Sequence, residues 1–221
     1  AEDIPWLLDP RSWREALMAF VGGIVAKPFR AGLAILVIGA LMGMRGLFKR
    51  RLAVLAEPVG NVSHDSVALT LRALLATLLL ALPTILLPLS IGYLTQHAPG
   101  ATPFAKAAGS AVFQLGMLAL FIEPFTQVVR ANGLAEAHFR WSDKARRNLH
   151  RDLRALSLAL IVPIIVISMT EAFDDDTKRE TIGRAAFMLG EFSIAIFAWR
   201  VLHPITGVLS DVMTDHEDGN W

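Results

Sequence analysis

Val67-Ala-Leu-Thr-Leu-Arg72-Ala-Leu-Leu-Ala-Thr-Leu-Leu-Leu-Ala-Leu-Pro83-Thr-Ile-Leu-Leu-Pro88-Leu-Ser-Ile-Gly-Tyr-Leu94 carries a single charge in 28 residues. A helix rises ~1.5 Å per residue, so about 20 apolar residues cross ~30 Å of hydrocarbon. Four further runs of the same character lie at Phe29 to Phe48, Ala105 to Val129, Leu153 to Phe173 and Ala185 to Val212. Mean hydropathy is +0.49, and 54% of residues are hydrophobic against 19% charged. Soluble domains sit near ~45–50% apolar and ~25% charged. The expected fold is an all-α membrane protein with about five transmembrane helices, kinked by prolines and preceded by an amphipathic interfacial helix.

That expectation divides the chain into an extracytoplasmic and interfacial segment over 1–28, transmembrane helices over 29–213 and a cytoplasmic tail over 214–221. A net charge of +1 and the lack of a basic stripe interleaved with aromatics give no argument for nucleic acid. The absence of cysteine excludes disulfides, thiolate metal sites and cysteine nucleophiles. The start at Ala1-Glu2-Asp3, without a methionine or a basic signal region, reads as a mature or excised piece.

Charge in the short loops orients the spans. Arg45, Lys49, Arg50 and Arg51 follow the first run, and Arg130, Arg140, Lys144, Arg146, Arg147, Arg151 and Arg154 lie between the third and fourth. Both stretches belong in the cytoplasm by the positive-inside rule. Thr95 to Phe104 holds no Lys or Arg, and the loop after the fourth run carries Glu171, Asp174, Asp175, Asp176 and Glu180 against Lys178, Arg179 and Arg184. Those two belong outside. Five spans then put the N-terminus in the periplasm and the C-terminus in the cytoplasm.

Ahead of the first run, Trp13, Leu17, Phe20, Val21 and Ile24 recur at helical spacing beside Arg11, Arg14 and Glu15. The apolar stretch Ala16 to Ala26 is too short to span, so it reads as a helix lying on the outer leaflet, with packing against the other spans as the alternative. Trp6, Trp13, Trp141 and Trp199 are candidate interface anchors. Pro83, Pro88, Pro124, Pro163 and Pro204 each remove a donor and release a carbonyl four residues back, with Thr77, Thr84 and Ser168 as nearby hydroxyls. Gly39 and Gly43 form a G-x-x-x-G that serves either packing within the chain or a dimer face.

Ionisable residues within spans are candidates by default. Arg72 and Glu123 fall at comparable depth on adjacent antiparallel spans and are expected to pair. Glu191 and Arg200 share the last span but are nine residues apart, too far to meet. Lys106 is the expected partner of Glu191, whose role is either helix positioning or gating, and Arg200 is expected to snorkel past Trp199.

No catalytic constellation is present. His64, His97, His138, His150, His203 and His216 scatter without metal-ligand spacing, and no phosphate-binding loop, nucleophile elbow or repeated aspartate motif occurs. The sequence argues against an enzyme and calls for no cofactor or metal.

The second basic stretch has the most specific local sequence. Asn132-Gly133 breaks a helix and Ser142 is placed to cap the next. Phe139 and Trp141 beside Arg146, Arg147 and Arg151, with Arg45, Lys49, Arg50 and Arg51 in the first stretch, suit the headgroups of an anionic leaflet at about 1 kcal/mol per basic residue. A bare topology signal remains the alternative reading.

Gly133-Leu-Ala-Glu-Ala-His-Phe-Arg-Trp141, preceded by Pro124-Phe-Thr-Gln-Val-Val-Arg130 and followed by an Arg-Arg-Asn-Leu segment, resembles the small-conductance mechanosensitive (MscS) channel superfamily. The likeness is to its large multi-helix potassium-dependent (MscK or KefA) type and the miniconductance relatives. Pro28-Phe-Arg-Ala-Gly-Leu33 with Lys49-Arg-Arg51, and Thr70 to Pro83, are similar in style. The resemblance implies the transmembrane region upstream of the pore helix in a homo-oligomeric, heptameric channel of the bacterial inner membrane that releases ions and small solutes on hypo-osmotic stress. It implies membrane lipids as partners. No pore-lining residue is carried over, because nothing resembling the Gly/Ala-patterned pore helix precedes Trp221.

Helices anchored at both surfaces change their preferred tilt when the bilayer stretches or thins, which gives a physical route to tension sensing. Two other classes remain open at this stage. A secondary transporter would use Glu191 and Arg200 along a pathway, although the runs show no inverted duplication. A non-conducting membrane scaffold needs no pathway.

Overall fold

A computed structural model describes residues 9–56, 67–130, 133–137, 141–172 and 179–203. Every regular element among them is helical: α1 (Pro10–Ala26), α2 (Pro28–Gly43), α3 (Arg45–Ala56), α4 (Val67–Gln96), α5 (Pro103–Val128), α6 (Leu134–Ala137), α7 (Asp143–Ala172) and α8 (Arg184–Leu202), the last entered through a π-helical turn, Arg179–Gly183. Four stretches are long and apolar enough to cross a membrane: Thr70–Gln96, Pro103–Val128, Asp143–Glu171 and Glu180–Leu202. A fifth crossing exists if α1 and α2, bent 99° apart at Lys27, count as one broken span.

The first expected span is therefore the one the structure revises. The run Phe29 to Phe48 is divided at Met44 into α2, of 16 residues, and the start of α3. Sixteen residues cover about 24 Å, short of the ~30 Å hydrocarbon core. Hydrogen bonds from Met44 to the Ala40 carbonyl at 2.9 Å and from Phe48 to Met44 at 3.0 Å carry the backbone through the break.

The chain forms two compact units, 1–39 with 84–120 and 159–192, and 40–83 with 121–158 and 193–221. The first is built on small residues. Ala16, Ala105, Ala107, Ala108 and Ala111 cluster with Phe104 and Met169. In the α4–α5 hairpin, a Cβ on Gly92 would collide with the backbone of Gly109 and Phe113, and one on Gly109 would lie 2.5 Å from the Gln96 nitrogen. These glycines let two backbones touch, which is how helices gain dispersion energy where lipid offers no hydrophobic contrast. Thr102 caps α5 by accepting from the Ala105 N–H at 3.3 Å, and Pro103 occupies the first turn, where its missing donor costs nothing.

Helix α1 packs through its small face. Gly23 meets the Leu94 backbone and Ala16 is buried, whereas Leu17, Val21 and Val25 are exposed. Trp13 sets its ring edge-on to Phe104 at 5.3 Å. One side of the helix thus packs on its neighbours while the large apolar residues face outward. Asp9 caps it, accepting from Arg11 N–H at 3.1 Å and the Ser12 hydroxyl at 3.2 Å.

The second unit has a bulkier core of Phe48, Leu52, Ala73, Ala76, Leu80 and Leu134, joining α3, α4 and the short α6. Proline does not end any of the spans: Pro83 and Pro88 lie within α4, Pro124 within α5 and Pro163 within α7. Thr77 does not serve the carbonyl released by Pro83; it donates at 2.8 Å to Ala73, four residues behind it. In the first unit Pro163 is buried, and a Cβ on Gly190 would lie 3.6 Å from its Cβ, so α8 packs over the proline. Pro204, Trp6 and the tail 214–221 fall outside the described residues.

Candidate functional site

The second unit concentrates its charge where α6 meets α7. Gly133 turns the chain so tightly that a Cβ would stand 2.6 Å from the Arg130 carbonyl, and Ser142 caps α7 by accepting from Ala145 N–H at 3.1 Å. One helical turn later Arg146 points back across the turn. Its guanidinium lies 3.0 Å from Glu136, contacts Asp143 and donates at 3.3 Å to the Arg130 carbonyl. The side chain is only 8% exposed, and such burial of a cation is tolerable because carboxylates and a carbonyl surround it. Asp143 also suits the first turn of α7, where the helix dipole favours an anion.

Further along α7, Asp152 is buried between two guanidiniums. Arg200 Nη2 stands 2.9 Å from Oδ1 and Arg151 Nε 3.2 Å from the same oxygen. This carboxylate ties α8 to α7.

The α3–α4 pair encloses a different environment. A cavity of about 560 Å³ is lined by Arg50, Arg51 and Arg72 together with Leu47, Leu75 and Leu79, and no carboxylate among the described residues lines it. In the first unit, Tyr93 gathers cations: Arg30 donates to its hydroxyl, Lys27 Nζ lies 4.8 Å from the ring centroid, and His97 stacks on it at 4.4 Å. No group of acidic, histidine or cysteine residues among the described residues could hold a metal. The charged centres bind and position; none pairs a nucleophile with a base.

The family described as "Mechanosensitive ion channel inner membrane domain 1" matches residues 28–220. The chain belongs to this mechanosensitive channel family. It is 33% identical over 159 residues to the miniconductance mechanosensitive channel MscM of Escherichia coli K12, covering 71% of this chain and 14% of that protein. It is 27% identical over 189 residues to mechanosensitive channel MscK of the same organism, covering 85% of this chain and 16% of that one. The chain thus spans about a sixth or less of the length of these relatives. No solved structure matches it significantly. It is a transmembrane region of a mechanosensitive channel, and neither the transporter nor the scaffold reading is favoured.

Within this channel region the residues singled out in the sequence fall in several places. Lys49, Arg50, Arg51, Arg147 and Arg151 are exposed, as headgroup contacts require, and Trp141 is 37% exposed. Arg45 is half-buried with its Nε enclosed and unpaired. Arg146 departs from that expectation, because its two carboxylate partners draw it inside. Arg72 and Glu123 form no ion pair with each other among the described residues: Glu123 accepts from Gln127 Nε2 at 2.6 Å, one turn along its own helix, while Arg72 joins Arg50 and Arg51. Glu191 and Lys106 are both exposed and form no ion pair with each other. Arg200 is held by Asp152, a residue the sequence reading passed over. Its only signal was an isolated acid within Arg151-Asp-Leu-Arg154, just where α7 becomes apolar. A Cβ on Gly39 or Gly43 would meet nothing within 4 Å, so the G-x-x-x-G makes no close contact among the described residues.

Proposed function

We propose that this region is the tension-sensing part of a homo-oligomeric mechanosensitive channel that passes ions and small solutes under hypo-osmotic stress, its conducting helix lying in other sequence. The family match over 28–220 carries the reading. It is supported by the outward display of large apolar side chains, including Phe29 at 80% exposed and Met188 at 70%. Such residues need lipid or a neighbouring subunit around them, so the preferred tilt of α2 and α8 depends on bilayer thickness. Mismatch costs of fractions of a kcal/mol per Å, summed over helices and over the seven subunits the family resemblance implies, bias a closed-to-open equilibrium.

In this reading the region resides in a bacterial inner membrane as the division 1–28, 29–213 and 214–221, with the N-terminus periplasmic and the basic layers of α3 and α7 cytoplasmic. Lys49, Arg147 and Arg151 then grip anionic headgroups, and the lipids are its constant partners. Patch-clamp recording of the full-length channel with Lys49→Gln, Arg147→Gln and Arg151→Gln tests the sensor. A shifted tension threshold with unchanged unitary conductance is expected. An unchanged threshold overturns the role of these residues, and currents that do not depend on tension overturn the function.

A further inference from the structure

Two of the charged centres are already balanced: Arg146 has Glu136 and Asp143, and Arg200 has Asp152. The α3–α4 cavity is not. Three arginines line it without a lining carboxylate among the described residues, and the rest of its lining is apolar. We propose that this cavity is a discrete site for one anionic phospholipid. The phosphate lies against Arg50, Arg51 and Arg72, and the start of an acyl chain runs along Leu47, Leu75 and Leu79. The inference rests on the membrane-surface placement proposed above and narrows it from a diffuse basic belt to a single binding position.

Three properties select that occupant. Three like charges lining one cavity repel one another, so an anion that bridges them removes the repulsion and gains charge-assisted hydrogen bonds. Arginine forks fit phosphate oxygens in pairs, which a carboxylate-free lining leaves open to an incoming ligand. The aliphatic wall offers a soluble phosphate nothing, yet a diacyl lipid buries methylenes there at ~0.8 kcal/mol each. A zwitterionic ethanolamine headgroup fits worse, since its ammonium would meet guanidinium with no described carboxylate to receive it. At about 560 Å³ the cavity lies within the range of small-molecule sites and holds a glycerophosphate head with the first part of a chain, the remainder continuing into the bilayer.

Native mass spectrometry of the full-length protein, released from vesicles of phosphatidylglycerol and phosphatidylethanolamine in equal parts, tests this. One tightly retained phosphatidylglycerol per chain is expected. Each guanidinium removed should weaken retention roughly fivefold, so Arg50→Gln with Arg72→Gln should lower it more than tenfold. Leu75→Trp with Leu79→Trp, which fills the aliphatic half, should also abolish retention, and circular dichroism checks that both proteins keep their helix content. Lys144→Gln, which removes an exposed charge elsewhere, should leave the adduct in place.

Equal loss in Lys144→Gln would mean diffuse attraction to the membrane and overturn the site. Displacement of the lipid by inorganic phosphate as readily as by short-chain phosphatidylglycerol would mean an anion site without a chain slot, and would overturn the lipid. Retention is read without any current, so its loss in a channel that still gates by tension refutes this site and leaves the sensor reading standing.

Discussion

Arg200 Nη2 lies 2.9 Å from Asp152 Oδ1, and that contact joins the last described helix to α7. Asp152 is 6% exposed and Arg200 44%, so the acid is the committed partner and the arginine keeps one side toward the exterior. The arrangement allows a charge in the last turn of an apolar helix while leaving α8 free over most of its surface.

Loss of the acid should therefore cost more than loss of the base. Asp152→Asn is expected to lower stability by about 1–3 kcal/mol, because it leaves two guanidiniums facing a neutral amide. Arg200→Gln, half in contact with solvent or headgroups, should cost about 1 kcal/mol or less. Thermal unfolding in detergent of the single and double variants gives the coupling, and strictly additive effects would show that the pair contributes nothing.

Glycines differ sharply in what they allow. Gly92→Ala should destabilise by about 1–3 kcal/mol, since the new methyl meets the backbone of α5 with no flexible atom to yield. Gly39→Ala faces open space and should be neutral or stabilising by up to ~1 kcal/mol through helix propensity. Comparable losses in the two variants would contradict the hairpin packing.

The Arg146 clamp predicts a local effect. Arg146→Gln leaves Glu136 and Asp143 without their shared cation and should speed amide exchange and proteolysis at the α6–α7 junction, where Arg147→Gln should do neither. Unaltered protection in Arg146→Gln would mean that Gly133 and the Ser142 cap hold the junction alone.

Topology can be tested directly because the chain has no cysteine of its own. Single cysteines at Lys49 and Arg147 should react with a membrane-impermeant thiol reagent from the cytoplasmic side, and one at Pro99, in the loop free of Lys and Arg, from the periplasmic side. Labelling of Arg147→Cys and Pro99→Cys from the same side would refute the proposed orientation.

Hydropathy was sufficient to read the helical class, four of the spans and the Ser142 cap, because each depends on residues close together in the chain. A run of apolar side chains in lipid has little choice but helix, since every backbone group must find its partner within the segment. The interruption at Met44 escaped that reading because the apolar run resumes at Leu47 and Phe48, although Gly43, Arg45 and Gly46 flank the division.

Pairing belonged to the fold alone. Which charges meet depends on how each helix is rotated about its axis, and hydropathy leaves that rotation open in a run that is apolar all round. So Arg72 turned toward Arg50 and Arg51 instead of Glu123, Arg200 found Asp152, and Arg146 left the surface for Glu136. Composition along the chain established that these helices live in a membrane; the close approach of Gly92 to Gly109 and of Gly190 to Pro163 decided which faces touch, because only side chains brought together from distant turns reveal where two backbones can come near.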